Sequence, residues 1–291
     1  MVYTNRNKIF DVINIIITGL IALVCVYPMY YVLMASFSIP SELMRHTGLL
    51  LRPTGFTLGA YKEVFNTQAI VNSFSNTFLI FIIGVAINMV VTIMAAYFFS
   101  RKNIMLQKPL FIMVLVTMFI SGGLIPLYIT VCNLGLDNSL WAVILPMSVN
   151  TFNLIILRTS FLSIPDSLIE AAIIDGANDF TNLCKIVVPL SKASIAVILL
   201  YYAVGNWNSW FHASIFLRNK TLYPLQLVLR QILLSNATDS MMGNADKGDY
   251  ESFSETIKYS VICVSTLPIL ALYPFLQKYF VSGVMIGAVK G

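Results

Sequence analysis

The chain has 291 residues, 58% of them hydrophobic and only 11% charged, with a mean hydropathy of +0.81 and a formal net charge of +5. Soluble domains carry roughly 25% charged residues, so a soluble globular fold is excluded, and without a basic cluster the small positive charge offers no nucleic-acid surface. The apolar runs are ~20 residues long and do not alternate, which points to an all-α polytopic membrane protein rather than a barrel.

Six spans are expected, at about 12–37, 77–99, 109–131, 140–158, 194–217 and 257–279, in one membrane domain covering 1–291. The first follows MVYTNRNK. It is too long for a signal-peptide core and lacks a small-residue cleavage site, so it reads as a retained span. Residues 38–76 mix apolar and polar positions with Pro40, Pro53 and several glycines, which predicts a folded cap with short helices. SGGL at 121–124, close to Pro126, marks a helix break. Arg158 ends the fourth span as a snorkelling anchor. Asn206, Asn208 and His212 interrupt the fifth. Within the segment 218–256, the small, polar stretch SNATDSMMGNADKGDYES at 235–252 predicts an exposed loop.

Orientation follows from Lys and Arg in short loops. Arg6 and Lys8 precede the first span, Arg101, Lys102 and Lys108 lie in the second connection, and Lys278 and Lys290 lie near the end; the third connection, CNLGLDNS, has none. Both termini are therefore expected in the cytoplasm, with 38–76 and 218–256 outside. Cys25, Cys132, Cys184 and Cys263 have no paired spacing and read as packing residues, and His46 and His212 read as surface or packing residues rather than ligands.

The connection at 163–192 is unusual for such an apolar chain. SIPD at 163–166 has the form of a capping box, with Ser163 capping Asp166 and Pro165 in the first turn. A helix through SLIEAAIID would end at Gly176 in a left-handed conformation. Asn178 would cap a second helix, DFTNLCKIVV, carrying Phe180, Leu183 and Val187 on one face and closed by Pro189. Capped helices, an alanine face and a glycine at the turn suit a docking lever rather than a passive connector.

EAAIIDGANDFTNLCKIVVP resembles the EAA loop of ABC importer permeases, with Glu170-Ala171-Ala172, Asp175-Gly176-Ala177, Ile186 and Pro189 in place; Val188 stands where a leucine is usual. GNWNSWFHASIFLRNKTLYPLQLVL at 205–229 and the tail LQKYFVSGVMIGAVKG are similar to carbohydrate permeases of the maltose-permease class, including the LplC/YtcP type. The resemblance implies a type I importer permease fold in a prokaryotic cytoplasmic membrane. It implies coupling to a dimer of ATPase subunits through Glu170, Ala171, Ala172, Asp175, Gly176, Ala177, Asn178, Phe180, Ile186 and Pro189. ATP and Mg would be bound by those subunits and no cofactor by this chain. The further partners implied are a second, homologous permease, an external solute-binding protein and a carbohydrate substrate. The tail 281–291 would reach towards the ATPase.

Polar side chains inside spans usually face a cavity or another helix. Asn150, Thr151, Asn153, Asn206, Trp207, Asn208 and Trp210 are thus candidates for a sugar path, with interhelical hydrogen bonding as the alternative for each. No HExxH, GxSG or intramembrane aspartate pair gives a catalytic or metal site, so the chain reads as a non-enzyme. An ion-coupled carrier would be expected to carry an acidic residue at mid-membrane, and the six spans lack one. An importer permease for peptide, polyamine or phosphate is the alternative that the EAA loop alone would allow.

Overall fold

A computed structural model describes residues 5–101, 104–241 and 257–271. Every regular element among them is helical. Phe10–Ser36 and Gln68–Ser100 are each long and apolar enough to cross a membrane. Three further pairs of helices are apolar enough together but bent: Gln107–Phe119 with Leu124–Asn133 by 118°, Trp141–Met147 with Thr151–Leu162 by 46°, and Asp179–Leu190 with Lys192–Phe216 by 87°.

The chain forms two compact units. One comprises, among the described residues, 5–68, 229–241 and 257–267. Here the expected cap between the first two long helices contains the short helices Pro40–Arg45 and Gly59–Asn66. Ala35, Leu43 and Leu50 form its buried centre, with Tyr31 edge-on to Tyr259 at 6.0 Å between ring centroids. Phe37 stacks on Phe56, and the Ser36 and Tyr61 hydroxyls are 2.7 Å apart. Burial raises the Tyr61 hydroxyl to about 12, which keeps it protonated and bound to Ser36.

The other unit comprises, among the described residues, 69–101, 104–228 and 268–271. Gln68–Ser100 has 33 residues, so at ~1.5 Å per residue it is about 50 Å long and exceeds the ~30 Å hydrocarbon core. It begins nine residues before the expected edge at 77 because the polar turns QAIVNSFSN continue the helix that hydropathy ends early. The break at 120–123 falls at SGGL, where Gly123 takes φ +89°.

Two expectations need correction. Residues 235–241 are the last turns of helix Leu225–Met241, not part of an exposed loop. The apolar start LQLVLRQILL nucleates the helix, and without Gly or Pro before Gly243 the weak helix formers that follow still propagate it. The remainder of that stretch, 242–252, lies outside the described residues, as do Lys278, Lys290 and the tail 281–291. Arg158 does not reach outwards either. Its Nε donates to the Phe99 carbonyl at 2.8 Å and its guanidinium lies 4.0 Å from the Phe111 ring centre, so it ties three helices together.

Candidate functional site: a docking loop and a polar cleft

The loop folds as two capped helices. Asp166–Ile174 ends in a Schellman turn: Gly176 has φ +84°, its N–H donates to Ile173 O at 3.0 Å, and Ala177 N–H donates to Ala172 O at 2.8 Å. Asn178 then caps the next helix, its side chain accepting from Thr181 N–H at 2.8 Å. The expected capping box at 163–166 does not form. The Ser163 hydroxyl donates to Ser160 O at 2.7 Å, and Pro165, the N-cap residue, makes no side-chain cap bond. A serine near a helix end can satisfy its own preceding turn instead of the next helix.

Outer and inner faces of the loop differ sharply. Glu170, Ala171, Asp175, Gly176, Asn178 and Pro189 are exposed, Ala172, Ala177 and Ile186 half-buried. Ile174 and Phe180 present apolar surface at 85% and 72% exposure. Ile169, Leu183 and Val187 point the other way, into a cluster with Tyr97, Leu154, Phe161, Ile198 and Tyr202. Tyr97 also donates its hydroxyl to Asp179 Oδ1 at 3.1 Å. Beyond the turn the helix widens to a π-helix at Leu183–Val187. Just before it, the fully buried Asn182 carboxamide lacks a partner among the described residues. Such irregularities concentrate at functional segments.

The same cluster carries a polar cleft at its other end. The cleft is about 510 Å³, and among its lining are Asn88, Asn150, Asn153, Asn206, Asn208 and His212. Its floor is a hydrogen-bond network at the 46° break. Asn88 Nδ2 donates to the freed carbonyl of Met147 at 2.6 Å. The N–H of Asn150 donates to the Tyr202 hydroxyl at 3.0 Å, which lies 2.7 Å from Thr92 Oγ1. Asn206 Nδ2 donates to Asn88 Oδ1 at 3.1 Å and to Tyr202 O at 2.9 Å. Broken helices at membrane depth persist only where neighbours satisfy the freed backbone groups, and these side chains do so.

Of the seven residues expected on a sugar path, Asn150, Asn153, Asn206 and Asn208 line this cleft. Thr151 lies beside it, its hydroxyl 3.2 Å from that of Thr117. Trp210 packs on the cluster around Ile80 and Val143. Trp207 is 2% exposed, with its ring edge-on to Phe78 and Phe81 at 5.5 and 5.9 Å. Asn88, Thr92 and Tyr202 were missed, although Asn88 and Thr92, four apart in an otherwise apolar run, mark one polar helix face.

The chain matches the family described as binding-protein-dependent transport system inner membrane component over residues 53–286. It is 41% identical over 287 residues to the polygalacturonan/rhamnogalacturonan transport system permease protein YtcP of Bacillus subtilis (strain 168), covering 98% of this chain and 100% of that one. Protein LplC of the same organism is 38% identical over 288 residues, with 99% and 97% coverage. A crystal structure of a bacterial ABC transporter involved in the import of the acidic polysaccharide alginate contains a chain 29% identical, with a TM-score of 0.86, covering 96% of this chain and 99% of that one. The fold is thus that of an ABC importer permease, and the chain belongs to the binding-protein-dependent transport family as an inner-membrane permease component.

Proposed function

We propose that this chain forms one half of the translocation pathway of an ATP-driven carbohydrate importer. It crosses the membrane six times as one permease domain, with both termini and the loop 163–192 in the cytoplasm. A homologous permease supplies the other half, a solute-binding protein delivers the substrate outside, and two ATPase subunits bind ATP and Mg inside. The chain itself performs no catalysis.

One observation carries the coupling role. The exposed turn from Glu170 to Phe180 is fused through Leu183 and Val187 to the same buried cluster as Tyr202, which holds the cleft. A push on the turn is therefore transmitted as a rigid-body movement of the cleft helices rather than absorbed locally. The carbohydrate assignment is supported by the relatives, one a polygalacturonan/rhamnogalacturonan permease and another part of an alginate importer.

A mild-detergent pull-down of the tagged chain tests the assembly. One copy of this chain, one of a second permease and two of an ATPase are expected. A lone chain or homodimer without ATPase after crosslinking would overturn the reading. Gly176→Pro tests the loop. Proline fixes φ near −65° where the chain needs +84° and removes the N–H bonded to Ile173. Uptake should be lost with membrane insertion intact; normal transport would sink the coupling role.

A further inference from the structure

We infer that the loop 46–53 of the cap is seated in the lipid headgroup layer, with Leu49 and Leu51 among the acyl chains and Arg45 and Arg52 at the phosphates. The leaflet is the outer one, which rests on the reading above that 38–76 lie outside; the lipid seat itself does not depend on the substrate. Three observations meet here, all within the unit that holds the first span.

The first is depth. Beyond the helix Asn5–Ser36, Ile39 N–H donates to Thr54 O and Thr57 N–H to Phe37 O, both at 2.9 Å, which closes a loop at the helix end. That loop folds back along the helix. Leu50 N–H donates to the Tyr27 hydroxyl at 3.0 Å, and the Tyr30 hydroxyl donates to Leu51 O at 2.8 Å. Tyr30 and Tyr27 stand ~9 and ~14 Å before Ser36 along the axis, and helix side chains lean towards the N-terminus, so their hydroxyls sit no higher. Asp11 is the last charged residue before the uncharged run 12–41. With Asp11 at one boundary, a ~30 Å core ends ~20 residues on, level with Tyr30 and Tyr31. Tyr27, Tyr30 and Tyr31 mark that level as an aromatic belt. Leu50 and Leu51 therefore lie at the belt, not above it.

The second is the sorting of polarity. Leu50 is buried with Ala35 and Leu43, whereas Leu49 and Leu51 turn outwards at 68% and 63% exposure. The tyrosines take up one backbone group each from Leu50 and Leu51, and His46 Nε2 lies 3.4 Å from Leu49 O. A loop in water has no need of such bonds; backbone at membrane depth does.

The third is charge. Arg45 and Arg52 flank the leucines, both exposed and neither ion-paired among the described residues. Glu42 is the one carboxylate of 37–58. Free guanidinium groups bordering an apolar surface at this level match lipid phosphates. Leu23 and Val26, one turn below Tyr27 and Tyr30 on the same face, continue the surface at 69% and 58% exposure. A helix of a second permease would select small residues for close approach, and a soluble protein would have to enter the headgroup layer to reach Leu51. Lipid meets both halves of the surface, acyl chains for the leucines and phosphates for the arginines.

The test uses the assembled importer, both permeases with the ATPase, in nanodiscs of phosphatidylethanolamine and phosphatidylglycerol. A nitroxide is attached at Leu49→Cys or Leu51→Cys, in separate variants with the native cysteines replaced by serine and assembly confirmed. Both side chains are exposed, and failure of one variant to fold leaves the other. Collision rates with oxygen and with a water-soluble nickel chelate give the depth of each label. Depths of ~5–10 Å below the phosphates are expected, against a label in water for Ser41→Cys, exposed on the helix Pro40–Arg45. Arg52→Glu, which sets a like charge against the phosphates, should reduce the Leu51 depth by about half; an unchanged depth overturns the phosphate contact. Labels at Leu49 and Leu51 as open to the nickel chelate as the one at Ser41 overturn the lipid seat. Labels closed to both reagents overturn it too, in favour of the second permease, or of the solute-binding protein where closure follows its addition. An impermeant maleimide on intact cells tests the orientation separately: an unreactive Ser41→Cys refutes the external cap and leaves the measured depth standing.

Discussion

Gly84 shows how closely one residue can be bound to the cleft. It lies in the helix Gln68–Ser100, and a Cβ built there would sit 2.5 Å from Asn206 Oδ1 and 3.0 Å from its Cγ. Gly84→Ala must displace the carboxamide that bonds Asn88 and Tyr202, so a loss of about 1–3 kcal/mol is expected. Thermal unfolding of the detergent-solubilised complex checks it, with Gly205→Ala as control, since nothing lies within 4 Å of a Cβ at that position. An unchanged midpoint for Gly84→Ala would show that the Asn206 side chain yields without cost. Sequence gives no sign of this contact, because a glycine in an apolar run looks the same whether it faces lipid or an amide. Trp207 carries the same lesson. A tryptophan between two asparagines resembles a sugar platform, yet the helix turns its ring onto Phe78 and Phe81. Residue type is legible in a sequence; which way a helix face turns beside a break is not.

At the scale of elements, the loop was the most legible part. Gly176 and Asn178 act through bonds to their own neighbours in the chain, so their roles follow from local chemistry. The link from the loop to the spans is long-range and was not foreseen. Tyr97, near the end of Gln68–Ser100, donates to Asp179 at the first turn after Asn178, while the Arg101 guanidinium lies 4.9 Å from the Tyr97 ring centre. This bond ties the docking loop to a second helix independently of the Leu183–Val187 packing. Tyr97→Phe should lower uptake per ATP hydrolysed by about three- to tenfold with assembly retained. Asp179→Asn keeps an acceptor oxygen and should retain most of the coupling. Equal coupling ratios for Tyr97→Phe and wild type in proteoliposomes would refute this. The broken spans were half legible: Gly and Pro at 121–126 announce a break, but its 118° angle depends on neighbours.

For the whole molecule, composition established membrane residence and helical class, and the EAA pattern established the family. The distribution of exposed apolar surface needed the structure. Cys184, free and exposed in the π-helix Leu183–Val187, offers a direct test of what covers the loop. A water-soluble maleimide should modify it in the solubilised chain, and bound ATPase should slow that reaction by about tenfold or more, with Cys184→Ser as control. Equal labelling rates would place the ATPase elsewhere.

Ile174 and Phe180, the two most water-exposed apolar side chains of the loop, also bear on how the cell makes this protein. Large exposed apolar side chains offer a partner a surface to cover. A chain synthesised without its ATPase carries a sticky tip that chaperones and proteases can recognise, and triage of such orphans sets abundance. If the turn docks the ATPase as proposed, it would act as a quality-control tag as well as a lever, and the amount of permease in the membrane would follow the supply of the subunit that drives it.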